Sequence, residues 1–195
     1  SGSTMSYTDA PDAQERMRSF LQLCAVHEVP CSSFQLSSGY TSIGTKRYVF
    51  NWNRDKFPNP AAFAAEFAAA GLQLAANIKP CLLTDHPLYG ECREAGLFLT
   101  ESGAAGEGGS APSPETSMFW DAVGSHLDFT NPATAAWWRA QVRDKLLALG
   151  ICSTWNDNNE WRVEDQSAVC HGFGTPMPLR LVRPVQALLM VRASL

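Results

Sequence analysis

Residues 150–160 read Gly-Ile-Cys-Ser-Thr-Trp-Asn-Asp-Asn-Asn-Glu, a short β-branched and aromatic run that stops in a cluster of amides and carboxylates. Ile151, Cys152, Thr154 and Trp155 have the bias of a buried strand, and Asp157 stands where that strand should end. The chain before it alternates strand-like and helix-like stretches, which is the grammar of a parallel α/β fold. Ligands bind such folds beyond the carboxyl ends of the strands, so this position makes Asp157 a candidate for chemistry. The same residues also suit a polar turn in which Asn156, Asp157, Asn158 and Asn159 bond to their own backbone. Composition alone leaves both readings open.

Taken in order, Ser1 to Asp9 reads as the tail of a first strand ending in Tyr7, Thr8 and Asp9, and the chain is expected to start inside a larger protein. Pro11 and Asp12 open a helix on which Met17, Phe20, Leu21 and Cys24 recur at helical spacing. A second strand is expected over Cys31 to Leu36, a loop to Lys46, and a short alternating strand over Arg47 to Trp52. Pro60 to Ala70 is an alanine-rich helix closed by Gly71, and Leu72 to Lys79 a third strand with Lys79 at its exit. Lys79 there is either a surface residue or part of a site. Asp85 and His86 follow in the next loop, where His86 reads as a helix-start residue.

From Glu101 to Thr116 glycine, serine and proline dominate, marking a mobile insertion over about residues 101–117. Met118, Phe119 and Trp120 are expected to pair back with Gly96 to Leu99. Asp128 to Pro132 caps a helix running to about Leu149, and a last helix begins at Val182 to Pro184.

Three stretches in this order resemble glycoside hydrolase family 31, the α-glucosidase and α-xylosidase family. Trp155 to Glu160 is similar to its W-x-D-x-N-E signature. Asp128-Phe129-Thr130-Asn131-Pro132, followed by Trp137-Trp138, resembles its DFTNP segment, and Leu188 to Ser194 its LLMARA helix. The resemblance implies a (β/α)₈ TIM-type barrel, of which residues 1–195 would supply about the first four β/α units as one partial catalytic domain. It implies Asp157 as nucleophile, Glu160 as its support and Trp120 as a wall of the sugar subsite. Trp155, Lys79, Asp9 and Asp85 are further candidate substrate contacts. Many family members carry an aspartate after the second strand, but Phe34 to Tyr40 contains no carboxylate, so this chain departs from the family there.

A retaining glycosidase needs two carboxyl groups about 5 Å apart, one to attack and one to move protons. In the family the acid/base lies further along the barrel, so these residues alone are expected to be inactive. The expected activity is retaining α-glycoside hydrolysis on an oligosaccharide or α-glycoside, with the remainder of the same barrel as partner. A non-catalytic carbohydrate-binding fragment or degenerate homologue is the alternative.

The net charge of −4 argues against a nucleic-acid partner, and no apolar run reaches the roughly 20 residues of a membrane helix. His27, His86, His126 and His171 lack ligand spacing and no phosphate loop is present, so no metal or cofactor is expected. Six cysteines without a paired framework, with Cys24, Cys81 and Cys152 in apolar surroundings, suggest buried thiols in a reducing, cytoplasmic compartment.

Overall fold

A computed structural model describes residues 2–3, 5–103 and 112–195. In chain order the elements are β1 (Gly2–Ser3), α1 (Met5–Thr8), α2 (Ala13–Val26), β2 (Ser33–Leu36), β3 (Ser42–Ile43), β4 (Lys46–Arg47), α3 (Pro60–Ala69) and β5 (Gln73–Ile78). Then come β6 (Cys81–Leu83), α4 (Tyr89–Glu94), β7 (Ser117–Met118), β8 (Val123–His126), α5 (Pro132–Lys145), β9 (Ser153–Asn156), β10 (Val169–Cys170), β11 (Met177–Pro178) and α6 (Leu179–Ser194). The chain divides into two compact units, residues 1–78 with 141–155, and residues 79–140 with 156–195.

The first unit is built on a four-stranded sheet in the order β1-β2-β5-β9, with β1, β2 and β5 parallel. Phe34 pairs with Leu74 and Leu36 with Ala76, so the β-strand period puts these apolar residues on one buried face. An aromatic row fills the core beside it: Tyr40, Trp52, Phe57, Phe63 and Phe67 contact one another in turn, with centroids 4.7–5.8 Å apart. Each such pair adds about 0.5–1.5 kcal/mol beyond area burial. Asn59 caps α3 by accepting from the Ala62 amide at 3.0 Å. Gly150, at φ 88°, provides the left-handed turn that leads from the helical segment at 147–149 towards β9.

Several sequence expectations change here. The first strand is only Gly2–Ser3, and residues Met5–Thr8 coil into a helical turn instead, with the Asp9 amide bonded to the Met5 carbonyl at 2.8 Å. That turn brings Tyr7 edge-on to Phe20 and Phe34. The expected strand over Arg47 to Trp52 is absent; the hairpin is β3–β4, and Phe50 sits at φ 64° in a turn. Tyr48, Val49, Phe50 and Trp52 are all buried, so their pattern is one of burial from all sides and not of alternation. β9 exists but is exposed to half-buried, because it lies at the edge of the sheet. Cys152 is exposed and Cys24 half-buried, leaving Cys81 as the one buried thiol of the three expected. Ile151 takes the inward position, and its neighbour Cys152 turns outward.

The second unit holds an antiparallel sheet, β6-β8-β7, that the sequence did not suggest. β7 pairs with β8 and not with residues 96–99; Leu99 instead bonds the His126 carbonyl and receives the Glu115 amide. Of the insertion expected at 101–117, residues 104–111 lie outside the described residues. The last helix begins at Leu179, three residues before Val182, so Pro184 falls inside it. The carbonyl this proline leaves unbonded belongs to Arg180, an exposed residue, where water can take it.

The centre of this unit is a buried carboxylate. Asp128 Oδ1 accepts from the Thr130 amide at 3.0 Å, the Thr130 hydroxyl at 2.7 Å and Gln186 Nε2 at 2.8 Å. Its Oδ2 accepts from the His171 amide at 2.6 Å. Gln186 returns an acceptor to the Phe129 amide at 2.8 Å, and Thr130 Oγ1 accepts from Gly172 at 2.8 Å. The Asp128 to Pro132 motif therefore ties α5, α6 and the 170–174 segment together, which is a larger task than capping one helix.

His126 gives the unit a pH dependence. Its ring is fully buried against Phe119 and Trp161, and neither nitrogen has a partner among the described residues. Burial, with the charge of Arg183 adding to it, lowers its pKa from 6.5 to about 4. The unfolded chain takes up this proton first as pH falls, so stability decreases from about pH 6.5 down to pH 4 and then levels, by about 3 kcal/mol in all. Glu115 tilts the other way: its pKa is raised, chiefly by burial, so its contribution declines as pH rises. Denaturation midpoints of wild type and His126→Phe between pH 4 and 7 isolate the histidine. The stability of wild type relative to His126→Phe is expected to fall by about 3 kcal/mol between pH 7 and pH 4; a constant offset would show that His126 has the same pKa folded and unfolded.

Candidate active site

Lys79 follows β5 directly and Asp157 follows β9 directly, and these two strands are neighbours in the sheet. Pro80 lacks an amide to continue the ladder after Lys79, and its carbonyl instead receives the Leu127 amide at 2.9 Å. Asn158 stands at φ 49°, a left-handed conformation that asparagine tolerates, and this bends the chain away from β9. The polar turn and the strand-exit site are therefore the same feature.

The Lys79 ammonium meets the Asp157 carboxylate at 2.5 Å and also donates to the Asn158 side-chain oxygen. Lys79 is 8 % exposed, so these two acceptors stand where water would otherwise solvate its side chain. The Asp157 side chain is 30 % exposed, enough to be reached from solvent. Trp120 lies at the tip of the β7–β8 hairpin, where the Phe119 amide bonds the Ala122 carbonyl at 3.0 Å. Its ring centroid is 5.5 Å from the Lys79 ammonium, within cation–π range. At 57 % exposure Trp120 is an open aromatic face and not a loop core residue. Next to it is a cavity of about 170 Å³ lined by Met118, Phe119, Trp120, Asn158, Glu160 and Arg162.

Asp157, Lys79 and Trp120 thus come together, and Glu160 is exposed on the wall of the adjoining cavity. Glu160 is held by its backbone, whose carbonyl accepts from Arg183 Nε at 2.8 Å. Trp155 is half-buried in β9. Asp85 lies in the exposed turn between β6 and α4, and the neighbouring His86 accepts the Leu88 amide at 3.0 Å, as a helix-start residue does. Asp9, in the first unit, accepts Arg47 Nη2 at 3.1 and 3.2 Å, and Lys56 holds its backbone carbonyl at 3.1 Å. A sugar hydroxyl at Asp9 would share the carboxylate with that guanidinium.

Sequence reasoning did not single out Asn158 or Arg162. The signal for Asn158 was its place in the run of asparagines, since one of these must turn the chain. Arg162 carried no signal. Among the described residues no group of three His, Cys, Asp or Glu side chains is placed to hold a metal ion, and no helix is long and apolar enough to cross a membrane.

An α/β scaffold with a carboxylate at a strand tip beside an aromatic face is the kind of site that sugar-processing barrels present. Residues 2–194 match the family model "Glycosyl hydrolases family 31 TIM-barrel domain". The chain belongs to glycoside hydrolase family 31 and is part of its TIM-type barrel; the described strands form no closed barrel. It is 29% identical over 164 residues to neutral alpha-glucosidase AB of Sus scrofa, covering 81% of this chain and 16% of that protein. It is 24% identical over 148 residues to alpha-xylosidase XylQ of Lactiplantibacillus pentosus, covering 76% and 18%. Its fold is similar to a Flavobacterium johnsoniae GH31 dextranase complexed with glucose, with TM-score 0.80, 17% identity, and coverage of 99% of this chain and 22% of that one. The chain therefore spans about a fifth of the length of these relatives.

Proposed function

We propose that these residues form the nucleophile half of a retaining α-glycosidase, in which Asp157 attacks the anomeric carbon and forms a glycosyl-aspartate. One observation carries the reading: a partly exposed carboxylate at the exit of β9, fixed by a buried ammonium that itself lies over an open tryptophan ring. The ammonium pairs with the Asp157 carboxylate and limits its rotation, which orients an attacking oxygen. Trp120 offers the apolar face of a sugar ring a stacking surface, and Lys79 and Trp155 bound the same end of the sheet. Glu160 supports the nucleophile from the cavity wall, with Asp85 as a further substrate contact.

The proton donor in this reading comes from barrel strands outside these residues. Edge strand β9, exposed to half-buried and ending in Asn156, is where the next strand of the barrel adds. The substrate class is an α-linked glucoside or xyloside, in keeping with the relatives that bear those names. The test is the stereochemistry of the first product. A complete barrel carrying this chain, given an aryl α-glucoside and followed by proton NMR, releases the α-anomer before mutarotation. First release of the β-anomer would overturn the double-displacement reading.

A further inference from the structure

Within the second unit, side chains of α5, of α6 and of the segment 172–174 line a cavity of about 240 Å³. Its walls are apolar, with Phe129, Pro132 and Leu189 among them, and two arginines stand on it, Arg139 from α5 and Arg192 from α6. Both are exposed, and neither guanidinium makes a hydrogen bond or ion pair among the described residues. No carboxylate lines the cavity. Residues 171–195, which include all of α6, hold Arg180, Arg183 and Arg192 with no aspartate or glutamate, and residues 129–140 hold Arg139 and no acid either. Asp128, next to Phe129 in the chain, is buried with both oxygens taken by donors. In a chain of net charge −4 these elements are therefore a local concentration of positive charge.

Phe173, on the rim of the same cavity, is the second observation. It sits at φ 60° and ψ 30°, where a bulky side chain is strained, and its side chain is nevertheless 60 % exposed. Hydrogen bonds on both sides fix this turn: the Gly172 amide donates to Thr130 Oγ1 at 2.8 Å, and the Gly174 amide to His171 Nδ1 at 3.1 Å. The fold thus holds an aromatic ring out over the cavity without burying it, and strain of this kind collects at ligand clamps.

We infer that this cavity is a binding site for a small phosphate monoester carried on an apolar ring. Two guanidiniums from different helices match the charge of about −1.5 to −2 that a phosphate monoester bears at pH 7, and their planar forks match its oxygens. Phe173 and the apolar walls take the ring. Drug-sized ligands occupy pockets of about 300–1,000 Å³, so this smaller cavity accommodates one ring and one phosphate group.

The experiment is a calorimetric titration of a complete barrel carrying these residues, with phenyl phosphate as probe. One ligand is expected to bind per chain, about tenfold or more tighter than inorganic phosphate or phenol alone, because each of these fills half of the site. Arg139→Gln and Arg192→Gln should each weaken phenyl phosphate about tenfold or more, since each removes a charged hydrogen-bond donor. Both side chains are exposed, so the variants should melt with wild type, which circular dichroism checks. Phe173→Ala should weaken phenyl phosphate and leave inorganic phosphate unchanged. Trp120→Ala, which alters the sugar site, should leave the titration as it is, so the result stands apart from the glycosidase reading. No binding at about 10 mM probe, or binding that survives in the double variant Arg139→Gln with Arg192→Gln, would overturn the inference.

Discussion

Asp157→Gly, in a complete barrel that carries these residues, is expected to lower turnover of an aryl α-glucoside by roughly 10⁴-fold or more, because a nucleophile acts as a unit with the rest of its machinery. The loss should fall on kcat, since the tryptophan face and the substrate contacts remain. The substitution also strands Lys79, whose ammonium is 8 % exposed and would lose its carboxylate. That vacancy suits a small anion. Added azide should occupy the place of the carboxylate beside Lys79 and restore turnover, giving a β-glycosyl azide from the α-substrate. In the double variant Asp157→Gly with Lys79→Met, the anion has no cation to bind and rescue should fail. Retained activity in the single variant would remove Asp157 from the nucleophile role.

The second large effect is on stability. Asp128→Ala removes the acceptor of four hydrogen bonds in a site that is 1 % exposed. Gln186 Nε2, fully buried, and the His171 amide are left to find other acceptors, and removing one partner of a buried charged network costs about 3–5 kcal/mol. For a chain of this size that is a fall in Tm of about 10 °C. Asp128→Asn should also destabilise, because both carboxylate oxygens face donors and an amide would turn an NH₂ towards one of them. Thermal melts followed by circular dichroism decide it: a loss under about 1 kcal/mol for Asp128→Ala would mean that the network is not what joins α5 and α6.

The parallel sheet could be read from the chain because β2, β5 and the helices beside them carry apolar residues at regular spacing. Leu74, Ala76 and Ile78 alternate inward, and Phe63 and Phe67 lie one turn apart. The antiparallel sheet could not, since two- to four-residue strands such as Ser117–Met118 are too short to show a period. Pro184 misled the start of α6, as a proline is usually a first-turn residue and this one is tolerated because Arg180 faces water. The strand tip at Asp157 and the exit position of Lys79 were legible from residue type alone. Their meeting was not, being a contact across 78 positions, and neither was the Asp128 network, whose partners lie 43 and 58 residues away.

The claim on which the functional reading rests is that the Asp157 carboxylate becomes covalently bound to sugar. Treating a complete barrel with an activated 5-fluoro-α-glycosyl fluoride slows release of the intermediate enough for mass spectrometry of the tryptic peptide running from Leu146 to Arg162. The account predicts one added fluoroglycosyl group in that peptide, on Asp157 and absent from Asp157→Asn. Label on a different carboxylate, or full turnover with no label at all, would contradict it.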